Sequence, residues 1–282
     1  MISLRHPALL WALSRNLGLG LGSTANLFGS YYFGRRSALQ KVYPETVVIT
    51  IPDCGKIAIR TNGYDFGLLA QIFVRKDYRL DASVVPGNVR TILDLGANIG
   101  AAAVYMHQQF PGSEIACVEP SPLNIALLKR AFSLNGIRGR VFEAAIGSDE
   151  GSIDLYLSDR PDCNSIYPSD DSSNKINVPL ISVPHVMRQM GWDRIDLLKI
   201  DIEGAEKHVL GENNSWLQDV RMITGETHVN NGYQYAQMER DLNNFGFELE
   251  ILIPETSEYG ASFRGVNKRF AMDCNALPQT AR

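Results

Sequence analysis

Thr91-Ile92-Leu93-Asp94-Leu95-Gly96-Ala97-Asn98-Ile99-Gly100 is an apolar run that holds one acid and breaks at two glycines, just before Ala101-Ala102-Ala103. A short, continuous apolar run bounded by turn residues reads as a strand covered on both faces, and the alanines that follow read as a helix. Strand, tight turn and helix N-terminus make the first unit of a doubly wound sheet. Ligands of such sheets gather at the carboxyl ends of the strands.

The residues of the turn bear on which ligand. A dinucleotide site needs G-x-G-x-x-G, whose second glycine admits the pyrophosphate to the backbone. Here Asn98 and Ala101 stand where the second and third glycines belong, and Asp94 puts a carboxylate where phosphate would be repelled. That carboxylate suits a ligand with an ammonium group and a sulfonium and no phosphate, which describes S-adenosylmethionine. The plainer reading is an Asp that only caps the next helix.

The composition is that of a soluble globular chain, 45% hydrophobic and 21% charged over 282 residues. A formal charge of -4 and a pI near 5.8 give no electrostatic footprint for nucleic acid. Cys54, Cys117, Cys163 and Cys274 are widely spaced, with no C-x-x-C, so zinc and a disulfide framework are poorly supported and a reducing, cytoplasmic setting is expected.

Three regions are expected: an apolar extension over 1–45, a strand pair and helix over 46–90, and the main domain over 91–282. In the extension Leu9, Leu10, Leu13 and Leu17 fall at helical spacing, with Arg5, Arg15, Arg35 and Arg36 nearby. The run is too interrupted to span a bilayer and has no clear cleavage site for a secretory signal. A helix packed on the main domain is the first reading. An oligomer contact or a membrane-surface helix are the others. Residues 46–51 and 56–60 read as strands around Pro52-Asp53-Cys54-Gly55, and 65–78 as a helix, with Asp65 or Tyr78 as residues that could close over a cofactor.

From Thr91 onward, strand and helix alternate. The strands are expected at 91–95, 114–119, 140–144, 195–200, 222–227, 247–253 and 268–273. The helices are expected at 101–110, 122–134, 183–190, shortly after Gly204, and at 233–245. This predicts an α/β fold, a doubly wound, seven-stranded and mostly parallel sheet with helices on both faces and its last strand antiparallel at one edge. Two alternating stretches around a polar, turn-rich centre predict a β-hairpin inserted over 151–182. It reads equally as a cover for the active site or as a solvated excursion.

Strand ends carry the candidate chemistry. Glu119, about twenty residues past the glycine turn, can accept both hydroxyls of a ribose, and the small residues Ala144-Ala145 leave room for a flat ring. In Lys199-Ile200-Asp201-Ile202-Glu203-Gly204, Asp201 and Glu203 share a face because side chains alternate along a strand. The next strand ends Gly225-Glu226-Thr227-His228, adding an acid and an imidazole.

Taken together, Asp94-Leu95-Gly96-Ala97-Asn98-Ile99-Gly100, Val118-Glu119-Pro120-Ser121-Pro122, Ala144-Ala145-Ile146-Gly147 and Lys199-Ile200-Asp201-Ile202-Glu203-Gly204-Ala205-Glu206 resemble the FkbM family of S-adenosylmethionine-dependent methyltransferases over roughly 91–247. The resemblance implies O-methylation of a sugar or secondary-metabolite hydroxyl. The acceptor is then a small molecule or glycan and the donor S-adenosylmethionine. Asp94, Gly96, Asn98, Gly100, Glu119, Pro120, Ala145 and Asp201 are the expected donor-binding residues. Where the family has a Thr-Leu-Asp-like stretch before the fourth strand, this chain has Ser182-Val183-Pro184.

A hydroxyl is a poor nucleophile near neutral pH and gains from a base, worth about 10²- to 10⁴-fold. His228 or Asp201 is the expected base, with Glu203 orienting the acceptor. No metal ligands are assigned. The alternative is that Asp201, Glu203 and Glu226 hold a divalent cation that polarises the acceptor oxygen. A nicotinamide oxidoreductase and a non-catalytic binding protein on the same fold are the rival classes.

Overall fold

The computed structural model describes residues 7–33, 45–61, 64–80, 88–158, 164–168, 174–228, 232–256 and 260–270. The chain opens with α1 (Pro7–Asn16) and α2 (Leu21–Phe33). Leu10, Leu13, Leu17 and Leu27 are buried in the same apolar cluster as the strands that follow, so the extension packs on the main body as first read. Trp11, Leu21 and Tyr32 remain exposed. Arg5, Arg35 and Arg36 lie outside the described residues. Among the described residues no helix is long and apolar enough to cross a membrane.

The hairpin β1 (Thr46–Ile51) and β2 (Gly55–Arg60) forms its own two-stranded sheet. One turn of helix, α3 (Phe66–Leu69), runs on into a π-helical turn, Ala70–Arg75, which ends at left-handed Lys76. Such turns are uncommon and cluster at functional sites. Here it delivers Tyr78 to the end of the main sheet.

The core alternates as predicted: β3 (Thr91–Leu95), α4 (Ala101–Gln109), β4 (Glu114–Val118), α5 (Pro122–Asn135) and β5 (Gly139–Phe142). Then β6 (Ala145–Gly147), β7 (Gly151–Leu157) and β8 (Asn174–Ser182) form a separate three-stranded sheet in which β7 and β8 are the inserted hairpin. The expected third strand is thus divided. Its first part stays in the main sheet, and the chain then crosses to the hairpin through Ala145, which pairs with Leu180. Next come α6 (Val183–Met190), β9 (Ile195–Ile200), α7 (Glu206–Leu210), β10 (Val220–Glu226), α8 (Tyr235–Asn243), β11 (Phe247–Ile253) and β12 (Ser262–Asn267). Ser182, in the segment that departs from the family pattern, caps α6 by accepting from the His185 N–H at 3.3 Å.

The main sheet runs β11-β12-β10-β9-β3-β4-β5. The strands β10, β9, β3, β4 and β5 are parallel to one another, and β12 is antiparallel to both β10 and β11. The last strand is antiparallel as expected, but it is not 268–273. It is Ser262–Asn267, inserted between β10 and β11, which leaves β11 at the edge. Residues 271–273 lie outside the described residues.

Alternation along β3 divides the interior. Ile92 belongs to the cluster under α4, α5 and the N-terminal elements, while Leu93 and Leu95 belong to the cluster on the opposite face. Asp94 faces the same side as Ile92. Register sets Lys199 of β9 and Cys117 of β4 directly beside it.

Candidate active site

At the carboxyl ends of β3, β4 and β9 lies a cleft of ≈ 820 Å³ of empty space, counting the part open to solvent. Its wall takes in Gly96, Asn98, Glu119, Pro120, Ala145, Asp201 and Glu203 from the residues expected on sequence grounds. Asp94, Gly100 and His228 are not on that wall, and each has a different physical reason.

Asp94 is fully buried and faces inward, with the Lys199 ammonium 3.1 Å from its Oδ1. The sequence reading gave this charge to the ligand. The fold spends it on Lys199, which also donates to the carbonyls of Leu95 and Gly96 at 3.3 and 2.7 Å and so ties down the start of the turn. Burial pushes the Asp94 carboxyl up, and Lys199 opposes this. Burial would lower the lysine, but Asp94 and Asp201 hold it above its ordinary value. A lone charge in the sheet would be costly, and the pair makes it tolerable. Lys199 itself reaches the cleft wall.

The two glycines of the turn do different work. Gly96 has φ +75, and a Cβ there would stand 1.8 Å from the Asp201 carbonyl oxygen, so only glycine lets the exits of β3 and β9 approach. Gly100 has φ +86, and its Cβ would meet Leu128 Cδ1 at 2.8 Å and Ala131 Cβ at 3.1 Å. Its role is to let α5 pack against the turn, not to line the ligand cleft.

Glu119 is buried, yet it lines the cleft. It accepts from the Asn98 N–H (2.8 Å), the Ser121 N–H (3.0 Å) and Asn124 Nδ2 (3.1 Å). Burial pushes its carboxyl up while these donors pull it back. Asn124 is in turn braced by Arg60 Nη1 at 2.9 Å, and Arg60 is held by the carboxylate of Asp65. Asp65, read as a residue that could close over a cofactor, therefore acts two steps removed. Asn98 has a left-handed backbone (φ 50), and its Oδ1 is buried with no hydrogen-bond partner on the cleft wall. A buried acceptor left open beside a cleft is a place for a ligand donor.

On the other side Asp201 accepts from the Tyr78 hydroxyl at 3.0 Å, and Tyr78 lines the cleft with Leu68 and Ile72. Burial, with Asp201 next, pushes the Tyr78 phenol well up. His228 stands behind the wall because its Nδ1 donates to Glu206, 2.8 Å away and 1% exposed. Its Nε2 lies 3.7 Å from Asp201 Oδ1 and 3.6 Å from Glu203 Oε2. Burial would lower this imidazole, but the Glu206 hydrogen bond and the charges of Glu206, Glu203 and Asp201 hold it at about 10. Glu226 is not part of this cluster. It accepts from Gln71 Nε2 at 2.7 Å, and burial, reinforced by Asp201, raises it to about 7.

The inserted hairpin is a cover rather than an excursion where it is described. Asn164, Ser165 and Ile166 line the cleft, and Ser165 Oγ donates to the Glu203 carbonyl at 2.8 Å. Lys199, Glu206, Arg60 and Asn124 had no role on sequence grounds. A lysine inside an apolar strand, two residues before Asp201, was the one readable signal among them.

A doubly wound sheet with a glycine turn, a carboxylate after the second strand and acids after the fourth is a class I methyltransferase fold. Residues 94–249 match the methyltransferase FkbM domain, and the chain belongs to that family, whose methyl donor is S-adenosylmethionine. Among its relatives, Methyltransferase sdnD of Sordaria araneosa is 29% identical over 229 residues, 68% of this chain and 88% of that one. The 31-O-demethyl-FK506 methyltransferase FkbM of Streptomyces tacrolimicus is 25% identical over 64% of this chain and 81% of its own length. The 2-O-methyltransferase NoeI of Sinorhizobium fredii is 28% identical over 48% and 62%. Aeropyrum pernix fibrillarin with bound S-adenosyl-L-methionine superposes on 79% of this chain and 95% of its own, with a TM-score of 0.43 and 14% identity.

Proposed function

We propose that the protein methylates a hydroxyl oxygen of a sugar or secondary metabolite. The carrying observation is that one cleft joins a nucleoside-type carboxylate, Glu119, to the acids Asp201 and Glu203, with apolar Leu68, Ile72 and Ile166 around them. Two relatives whose names specify O-methylation support the oxygen acceptor.

S-Adenosylmethionine supplies a methyl group activated by its sulfonium. The residues present fit it: Glu119 is placed for the ribose hydroxyls, the open Oδ1 of Asn98 for a donor group, and Ala145 leaves space for a flat ring. The chain itself must align the acceptor, shed water from around it and receive its proton. Asp201 is the proton acceptor because it reaches the wall and has Oδ2 oriented by Tyr78, while His228 sits behind it. Glu203 orients the acceptor hydroxyl.

Calorimetry with S-adenosylmethionine tests the donor half. Incubation with polyhydroxylated glycans and with O-demethylated polyketides, read by mass spectrometry as one added methylene mass, tests the acceptor half. Donor binding without any O-methylated product, alongside N- or C-methylated ones, would overturn the oxygen assignment.

A further inference from the structure

We propose that Asp201, Glu203 and His228 form a divalent-cation site at the mouth of the cleft. The inference rests on the methyltransferase reading for its role and on geometry for its existence. Two adjacent parallel strands end here. Asp201 and Glu203 follow β9, and His228 follows β10, so the topology alone brings two carboxylates and an imidazole together. One ligand atom from each lies within 4.8 Å of the other two.

The spacing is the first argument. Nε2 of His228 is 3.7 Å from Asp201 Oδ1 and 3.6 Å from Glu203 Oε2. An imidazole hydrogen-bonded to those carboxylates would close to about 2.7–3.2 Å. Two ligands each about 2.0–2.2 Å from a shared cation, at tetrahedral to trigonal angles, stand roughly 3.3–3.8 Å apart.

The second argument is the support behind the imidazole. Buried Glu206 takes the Nδ1–H at 2.8 Å and directs Nε2 toward the two carboxylates. A carboxylate behind a ligating histidine is the usual outer support of a metal site, fixing the tautomer and the ring. The same Glu206 oxygen accepts from the N–H groups of Ile202 and Gly204, at 3.3 and 3.4 Å, and so holds the segment that carries Glu203. One buried side chain thus sets two of the three ligands.

Two carboxylates with one imidazole suit zinc at this spacing, and manganese(II) or iron(II) after the ligands close by about half an ångström, better than magnesium or calcium. The set differs from the one the sequence offered, since His228 takes the place of Glu226. Asp201 and Glu203 both line the cleft, so a cation between them lies beside the acceptor and lowers the pKa of its hydroxyl. The cation displaces the Nε2 proton of His228, and Asp201 ligates through Oδ1 while its Oδ2, oriented by Tyr78, still takes the hydroxyl proton.

The test uses the full chain, stripped with a chelator, titrated with manganese(II) chloride and followed by electron paramagnetic resonance of the free ion, with S-adenosylmethionine affinity measured on the same samples. One manganese per chain is expected. His228→Ala and Glu203→Gln should weaken it at least tenfold, and Glu206→Gln by about 10- to 100-fold. His185→Ala, which removes a partly buried imidazole beside Glu150, away from the three ligands, should change nothing. Glu203 is partly exposed, so Glu203→Gln keeps the test open if Glu206→Gln fails to fold. Donor binding with no manganese bound, or manganese binding indifferent to Glu203→Gln and His228→Ala, overturns the cation site and leaves the methyltransferase reading standing. Loss of donor binding in the unaltered chain would strike that reading instead.

Discussion

Arg60→Met probes a side chain outside the span that matches the family domain, 94–249. Arg60 Nε lies 3.1 Å from both carboxylate oxygens of Asp65, and its Nη1 donates to Asn124 at 2.9 Å. Asp65 is 2% exposed. Removing the guanidinium leaves a buried carboxylate without its cation, a change that costs about 3–5 kcal/mol. The Arg60 backbone N–H still donates to Asp65 at 2.7 Å, which places the loss near the lower end, at about 3 kcal/mol.

A second, separable effect falls on the donor. Without Arg60 the Asn124 amide loses the Nη1 bond that braces it, which weakens its 3.1 Å bond to Glu119. A hydrogen bond to a charged group is worth about 1.5–3 kcal/mol. Two others to Glu119 survive, so about 1–1.4 kcal/mol should reach the ligand, a five- to tenfold weaker Kd for S-adenosylmethionine. The double variant Arg60→Met with Asp65→Asn removes the stranded charge. It should regain most of the stability in urea unfolding and none of the affinity in calorimetry. Wild-type donor affinity in a folded Arg60→Met, or affinity that returns in the double variant, would refute the relay.

Gly96→Ala should abolish measurable donor binding, because the added Cβ falls on the Asp201 carbonyl, whereas Gly67→Ala, with no atom within 4 Å of its Cβ, should be silent in the same calorimetry. Lys199→Met should cost about 3–5 kcal/mol by stranding Asp94, and combining it with Asp94→Leu should return more than half of that in denaturant unfolding. Tyr78→Phe removes the 3.0 Å bond to Asp201 and should lower kcat about tenfold, with KM for the donor within twofold. Burial holds the Cys117 thiol well above its ordinary value, so among Cys54 and Cys117 only Cys54 should react with iodoacetamide in the native protein. Mass spectrometry of the alkylated peptides reads this directly.

The parallel core was legible because strands covered on both faces must be apolar throughout and must end in residues small enough for a turn. Thr91–Leu95 departs from this at Asp94 and Ile195–Ile200 at Asp196 and Lys199, yet the remaining residues are apolar enough to mark both strands. β12 is not marked in this way, since Ser262, Arg264, Gly265 and Asn267 look like a loop until β10 and β11 are seen to flank them. The acids of the rim were visible one strand at a time. Their pairing was not, because register between distant strands leaves no mark on either: nothing at Asp94 says that Lys199 is its neighbour. Nor does spacing reveal that His228 gives one ring nitrogen to Glu206 and turns the other toward Asp201 and Glu203, or that Glu226 is taken by Gln71.

Besides the inserted hairpin, the cleft answers to two separate stretches of chain. Its donor side is built from rigid turns between parallel strands, where Gly96 and Glu119 tolerate little change. Leu68, Ile72 and Tyr78 come instead from α3, the π-helical turn and the residues just after it, which precede the family domain. The leading segment can therefore change its side chains and reshape that part of the cleft while the turns that hold Gly96 and Glu119 stay as they are.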